Sequence, residues 1–143
     1  MTVQLFCGLI IALLCSACGN SQTTSPSTTT TTPSRTTELF TGSLAAGDSQ
    51  FYSFTVGQSG TTDITLVSLT PAGAARPALA KPVGLGIGTP AGTGCGISTA
   101  LTAQPGLTAQ LSTSTTATIY CVDIYDIGSV TDPVAFTVRI VHP

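Results

Sequence analysis

Apolar and polar side chains alternate along four short stretches of the chain, which cover residues 51–56, 62–66, 118–125 and 135–141. A period of two, bounded by Gly, Pro, Asp and Ser, is typical of a β-strand that buries one of its faces. We therefore predict a strand at each stretch. The residues expected on the buried faces include Tyr52, Phe54 and Val56, then Tyr120, Val122 and Ile124, and finally Phe136, Val138 and Ile140.

Weaker patterns predict further strands between these four. They cover Glu38–Leu44, Val83–Ile87, Gly96–Leu101 and Leu107–Ser112. The stretch Pro71–Pro82 is expected to be an irregular connection between two sheets, and no amphipathic helix is indicated after residue 37. About 7–8 short strands in roughly a hundred residues are typical of a sandwich or a jelly roll. The predicted fold class is an all-β, jelly-roll-like antiparallel β-sandwich over residues 38–143, with nearly every aromatic side chain in its core.

An uncharged apolar run, Leu5–Ala17, precedes these strands. It is shorter than the roughly 20 residues of a membrane-spanning helix, and it ends in small residues as a secretion signal does. The order Cys15-Ser16-Ala17-Cys18 resembles the lipobox of bacterial lipoproteins, although Cys15 stands where Leu is usual and no Lys or Arg precedes the run. We expect residues 1–17 to be a lipoprotein signal peptide and Cys18 to receive the lipid. Ordinary secretory cleavage and a retained anchor are the alternatives.

Residues 18–37 are a low-complexity linker rich in Thr, Ser and Pro, and no aliphatic or aromatic side chain occurs in Gly19–Thr37. Such a segment cannot bury enough surface to offset its ordering entropy, so we expect a disordered stalk. A lipid on Cys18 and this stalk together predict a bacterial cell-envelope protein, held to the membrane through its N-terminal lipid. In a Gram-negative host, Gly19 after the lipid-bearing cysteine would permit sorting to the outer membrane or cell surface.

The chain has five cysteines, of which cleavage before Cys18 would remove Cys7 and Cys15. Cys95 and Cys121 would then be the two unmodified cysteines of the exported domain. An even number of cysteines in an oxidising compartment favours a disulfide, with two unpaired buried thiols as the alternative. A zinc site is not expected, because Cys15 and Cys18 have no second pair of ligands.

Charge is scarce in this chain, since charged residues make up 7% of it, against roughly 25% in typical soluble domains. The 4 basic and 6 acidic residues give a net charge of −2 and form no cluster of either sign. Binding to nucleic acid through phosphate contacts needs several basic side chains on one face. Nucleic acid is therefore excluded as a partner.

Two features of the sequence suggest a cofactor site or a catalytic site, but the residues around them do not support either function. The spacing Gly86-x-Gly88-x-x-Ala91 matches a dinucleotide-binding fingerprint, but Pro90 argues against the helix that this mechanism needs, and no cofactor is expected. The only histidine is His142, which we expect on the surface or on an edge strand. We expect neither a catalytic residue nor a resident metal.

The acids Asp123, Asp126 and Asp132 are expected to be turn formers, with a calcium site as the alternative. Alternation also predicts that Phe51 and Tyr125 point outward, away from the core. Exposed aromatic side chains can contact a protein or a sugar. Phe51 and Tyr125 are therefore the candidate surface contacts.

Several stretches together resemble the bacterial pre-peptidase C-terminal domain. They are GSLAAGDSQFYSFTV (42–56), GTTDITLVSL (60–69), ATIYCVDIYD (117–126) and the closing VAFTVRIV (134–141). The shared features are a short strand, a Gly-Asp turn, an aromatic alternating strand, a Gly-led strand and a late strand of Tyr-x-Val type. The resemblance spans most of residues 38–143. It implies a jelly-roll-like sandwich, usually appended to secreted proteases and other exported enzymes, that is generally non-catalytic and aids secretion or binding.

The expected function is that of a non-catalytic, surface-displayed lipoprotein module with a binding or structural role in the cell envelope. Its partner would be an extracellular protein or a polysaccharide. One alternative is a small secreted hydrolase using the acids near Asp123–Asp132, or an accessory domain of an exported enzyme. Another is an envelope assembly partner or inhibitor. A pocket that gathers two of those acids would favour the hydrolase.

Overall fold

The computed structural model describes residues 34–72 and 79–143, and in these residues the secondary structure consists of β-strands alone. The strands are β1 (Thr36–Leu44), β2 (Ser49–Val56), β3 (Gly60–Pro71), β4 (Val83–Ala91), β5 (Gly94–Ala103), β6 (Leu111–Thr115), β7 (Thr118–Tyr125) and β8 (Val134–His142). The all-β prediction is confirmed. The predicted signal peptide, Cys18 and the linker as far as residue 33 lie outside the described residues.

The strands form two antiparallel four-stranded sheets. The first sheet has the order β1-β8-β3-β6 and the second has the order β2-β7-β4-β5. Consecutive strands pass from one sheet to the other, except in the β4–β5 hairpin. This arrangement of eight strands is a jelly roll, in which two Greek keys wrap around a sandwich, so the predicted fold class is confirmed.

Inward-facing side chains of both sheets form one hydrophobic core. The residues predicted on the buried faces of the alternating strands all lie in this core or pack against it. Burial of each large apolar side chain stabilises the fold by roughly 1.5–3 kcal/mol. The largest fully buried side chains are Leu44, Val56, Ile64, Leu66, Leu69, Val83, Leu85, Ile87, Val122, Ile124, Val138 and Ile140. Successive side chains of a strand point to opposite faces of the sheet. The residues that face the core therefore determine which residues face outward.

Most strands differ in their bounds from the prediction, and the ends of four lie more than one residue later than predicted: β3 ends at Pro71, β4 at Ala91, β5 at Ala103 and β6 at Thr115. β1 begins at Thr36 instead of Glu38, because the two preceding threonines continue the ladder against β8. The predicted strand Leu107–Ser112 is wrong over residues 107–110, since β6 begins at Leu111. Leu107 is 84% exposed and contributes nothing to the core. The apolar pattern that suggested a strand there therefore came from a surface side chain.

The segment before β6 forms hydrogen bonds with the backbone of β3 at the edge of the sheet, although it is not a strand. The Leu66 amide donates to Oε1 of Gln110 at 2.7 Å, and Nε2 of the same side chain donates to the Gln104 carbonyl at 3.1 Å. The Gly106 amide donates to the Leu66 carbonyl at 2.9 Å, and the Gln110 amide donates to the Ile64 carbonyl at 3.1 Å. A side chain and two loop amides thus replace the missing end of β6.

The connection after β3 joins the first sheet to the second, as the stretch Pro71–Pro82 predicted. Residues 73–78 within it lie outside the described part of the chain. Among the residues that are described, there is no helix long and apolar enough to span a membrane.

Candidate binding face

The outer surface of the second sheet collects the outward-facing residues of β2, β7, β4 and β5. Phe51 on β2, Asp123 on β7 and Gly86 on β4 are cross-strand partners in one row. Tyr125 and Gly84 are partners in the next row. Side chains two residues apart on a strand share a face, so these residues lie together on one surface. We call this surface the Asp123 face.

The glycines of β4 let neighbouring side chains lie across the Asp123 face. A Cβ at Gly84 would overlap the ring of Tyr125, so the half-buried tyrosine occupies the space above this glycine. A Cβ at Gly86 would lie 2.9 Å from Cγ2 of Ile97 on β5. Glycine in a strand interior commonly marks such a close approach. The middle of this sheet is therefore covered by side chains that lean in from β7 and β5.

The tip of the β4–β5 hairpin folds over the same surface. The structure contains the Cys95–Cys121 disulfide that the cysteine count predicts, with the two Cα atoms 5.7 Å apart. β5 and β7 are both partners of β4, so in a flat sheet their backbones would be separated by about twice the spacing of roughly 4.8 Å. A Cβ at Gly88 would overlap the Gly96 carbonyl group. The hairpin tip therefore leaves the plane of the sheet and forms a raised end to the Asp123 face.

Asp123 is the only charged residue in the four strands of the second sheet. It is 8% exposed, and its Oδ1 atom is buried without a hydrogen-bond partner among the described residues. Burial raises the pKa of the Asp123 carboxyl, because the ionised form loses hydration. Buried polar atoms are normally hydrogen-bonded, so this oxygen is an unsatisfied acceptor just beneath the surface of the sheet. A donor from a second molecule reaches it only when the side chains above it move aside.

Exposed apolar side chains share the sheet face of this carboxylate with the hydroxyls of Ser49, Ser53 and Thr55. Phe51, its cross-strand partner, is 42% exposed, and Ile97 is 40% exposed. Ile119 is 52% exposed on the same face of β7, but Cys121 and the disulfide-bonded hairpin tip lie between it and Asp123. Clustered exposed apolar groups are typical of interaction surfaces. The Asp123 face combines an apolar surface with a single unsatisfied anionic acceptor.

The other acids of this end of the chain do not join Asp123. Oδ1 of Asp126 accepts the amides of Gly128, Ser129 and Val130 at 2.9–3.0 Å, and its Oδ2 accepts the Gly47 amide at 2.9 Å. The hydrogen bond from Gly47, followed by that from Val130, holds the pKa of the Asp126 carboxyl below its ordinary value. Asp126 is therefore a turn former, which ties the β7–β8 loop to the β1–β2 turn.

Asp132 is exposed, and its carboxylate accepts a hydrogen bond from the neighbouring Thr131 hydroxyl at 3.2 Å. Within residues 34–72 and 79–143, no group of three His, Cys, Asp or Glu side chains is placed to hold a metal ion. The three acids named by the sequence thus have three different environments: a strand face, a loop anchor and open solvent.

His142 lies inside the sandwich, which contradicts the expected surface or edge position. It is 3% exposed and ends β8, a strand that runs between β1 and β3. Its Nε2 lies 2.9 Å from Oε1 of Glu38, and its Nδ1 lies 3.1 Å from the Pro143 carbonyl oxygen. The Tyr52 hydroxyl donates to Oε2 of Glu38 at 2.5 Å, and this hydrogen bond raises the pKa of Tyr52. These groups satisfy one another and close one end of the core.

Sequence reasoning missed two features that alternation could have indicated. His142 continues the inward series of Phe136, Val138 and Ile140, so its burial follows from the same period of two. Asp123 lies between the inward residues Val122 and Ile124, which places it on a sheet face and not in a turn. No pattern in the sequence indicated that Ile97 lies over the Asp123 face, because its position depends on how the β4–β5 hairpin bends.

The Asp123 face and the Glu38–His142 cluster are thus defined by the chain's own geometry. No protein-family model matches this chain, and none of the curated proteins is similar enough in sequence to match it.

Proposed function

We propose that this protein is a non-catalytic binding module, displayed on the bacterial cell envelope through a lipid on Cys18, and that it binds its ligand on the Asp123 face. The main support for this proposal is that Oδ1 of Asp123 has no hydrogen-bond partner among the described residues, while the ring of Phe51 on the neighbouring strand is exposed. An apolar surface with one unpaired acceptor is suited to holding a ligand that provides apolar contact and a hydrogen-bond donor.

Display on the envelope is supported by the lipobox-like order that ends at Cys18 and by the Thr-rich linker after it. The Cys95–Cys121 disulfide agrees with folding in an oxidising compartment. The resemblance to pre-peptidase C-terminal domains agrees with an accessory, non-catalytic role. An intact mass of the unreduced protein from host membranes tests the anchor. A chain that starts at Cys18, carries added acyl mass and is two hydrogens lighter is expected, and an unacylated or unclipped chain would contradict it.

The hydrolase alternative has less support, because the acids it needs have separate environments. Both oxygens of Asp126 already accept backbone amides, and Asp132 is exposed in the β7–β8 loop. Asp123 lies on a strand face, with Phe51 opposite it. Paired carboxylates for general acid–base work must flank one substrate at a fixed separation. The binding module therefore explains the arrangement better.

Sedimentation with envelope material tests the use of the Asp123 face. The full chain is purified with Cys18→Ser in every sample, so that no lipid holds it to the membrane. It is mixed with isolated host envelopes, and the retained fraction is measured for this parent chain and two variants of it. Phe51→Glu places a charge on the Asp123 face and should lower retention at least tenfold. Leu39→Glu is the matched control, since Leu39 is 62% exposed on the first sheet and should tolerate the change. Equal retention of the Phe51→Glu variant, or equal loss in both variants, would overturn the proposal.

A further inference from the structure

The Asp123 face lacks a cation of its own. The sequences of β2, β4, β5 and β7 contain no Lys, Arg or His, so the carboxylate has no basic neighbour within its sheet. Its Oδ1 is buried and unpaired, although carboxylates that are nine-tenths buried are normally paired. The missing partner of such a group is a positive charge or another strong donor.

We propose that the Asp123 face binds a segment of another polypeptide that presents an arginine or lysine side chain to Asp123. This inference rests on the proposed function, and it names the class of ligand. Apolar residues on either side of the basic residue would pack on Phe51 and Ile97, which are 42% and 40% exposed. The ligand and the face are thus complementary in charge, and the apolar contacts lie around a single cation of the ligand.

Phe51 is suited to the same cation. Directly opposed residues of neighbouring strands have Cβ atoms about 4.5–5.5 Å apart, so the ring is within reach of a cation held by Asp123. A guanidinium can bond a carboxylate and stack on an aromatic face at once, whereas an ammonium acts as a point charge. Arginine should therefore bind more tightly than lysine.

A polypeptide fits this surface better than a polysaccharide does. A sugar ring stacks on a planar aromatic face, but Ile97 and Ile119 are branched aliphatic side chains that offer no plane. Such side chains pack well against the apolar residues of a peptide. The exposed hydroxyls of Ser49, Ser53 and Thr55 on β2 offer polar groups to either ligand, so the polar side chains do not separate the two. The aliphatic part of the face thus decides between the two ligands.

Three peptides provide the test. They are acetylated and amidated Gly-Leu-X-Leu-Gly sequences in which X is Arg, Lys or Gln. The full chain carries ¹³C-labelled Ile methyl groups, so that Ile97 and Ile119 report on the face while Ile64 and Ile140 report on the core. The Arg peptide should shift the Ile97 and Ile119 signals and bind at least tenfold more tightly than the Gln peptide, with the Lys peptide in between.

Two variants make the test specific. Asp123→Asn should remove the preference for Arg over Gln, whereas Asp132→Asn, which removes an exposed acid elsewhere, should keep it. Equal affinities of the Arg and Gln peptides for the wild type would overturn the inference. So would a preference that survives Asp123→Asn, or one that Asp132→Asn abolishes. Thermal unfolding of each variant verifies that the fold is intact.

A sugar probe separates this inference from the proposed function. If cellohexaose shifts the Ile97 and Ile119 signals and no peptide does, the ligand class is wrong while the binding face stands. If neither probe shifts these signals, the ligand class is again wrong, and the sedimentation of the Phe51→Glu variant decides whether the face binds anything.

Discussion

At Asp123 a carboxylate has lost hydration without gaining a donor, so its charge opposes folding. The folded-state pKa lies above the ordinary value, so the folded chain binds more protons than the unfolded chain between the two pKa values. Stability contributed by this residue is therefore lost as the pH rises through the folded-state pKa.

Replacement of Asp123 by Asn should accordingly stabilise the protein at pH 7. We expect the Tm to rise by a few degrees, and we expect this gain to shrink as the pH falls through the raised folded-state pKa of the wild-type carboxyl. Thermal unfolding in a descending pH series from pH 7 measures the effect, with Asp132→Asn as the control for an exposed acid. A lower Tm in Asp123→Asn at pH 7 would show that this carboxylate has a stabilising partner.

Also at the residue scale, Glu38 holds two partners at the end of the core. Tyr52→Phe removes one hydrogen bond and should cost about 0.5–1.5 kcal/mol in the free energy of unfolding. Glu38→Gln should cost more, about 1–3 kcal/mol, because it also weakens the contact with the buried His142. Urea unfolding measures both. The cost of Tyr52→Phe should fall in the Glu38→Gln background, and strictly additive costs would contradict a shared network.

Among the elements, the β7–β8 loop depends on Asp126. Asp126→Asn should lower the Tm and speed hydrogen exchange at the amides of Gly128, Ser129 and Val130, while Asp132→Asn should do neither. The lowered pKa of Asp126 gives the sign of the pH effect. Its stabilisation is complete above the unfolded-state pKa and is lost as the pH falls through the folded-state pKa. A difference in Tm between wild type and Asp126→Asn that persists in strong acid would contradict this role.

The disulfide fixes the β4–β5 hairpin to β7. It closes a loop with a sequence separation of 26, which corresponds to about 3.5 kcal/mol of stability in the loop-entropy model. The Cys95→Ser/Cys121→Ser double variant should lose stability of this order in urea unfolding. A reducing agent should produce the same loss in the wild type and no change in the double variant. An unchanged free energy of unfolding in the double variant would contradict a stabilising cross-link.

Strand patterns in the sequence predicted the elements well where one face is buried. The alternation of burial in β2 and β8 is strict because each strand turns one face to the shared core. β7 departs from it, since the disulfide and the hairpin tip also bury residues on its outer face. The prediction failed at residues 107–110, where Gln110 replaces strand pairing with side-chain hydrogen bonds. A period of two cannot distinguish an exposed apolar residue such as Leu107 from a buried one.

For the whole molecule, the sequence predicted the jelly roll and the outward direction of Phe51, but not the environment of Asp123. That carboxylate is buried beside Gly86, its cross-strand partner, where β5 bends over β4 and places Ile97 above the glycine. The bend follows from an irregular register between Ile87 and Gly88 and from a long-range cross-link. Such properties belong to tertiary packing. They are not encoded in any local pattern of apolar and polar residues.

The bent hairpin has a consequence for where the protein can work. A covalent bond that persists only in oxidising surroundings holds the hairpin tip over the sheet. We expect a chain kept in a reducing compartment to lack this clamp, so that the hairpin tip can move and the Asp123 carboxyl can regain hydration. The burial that raises the pKa of Asp123 would then depend on oxidation, and so would the binding surface that we propose.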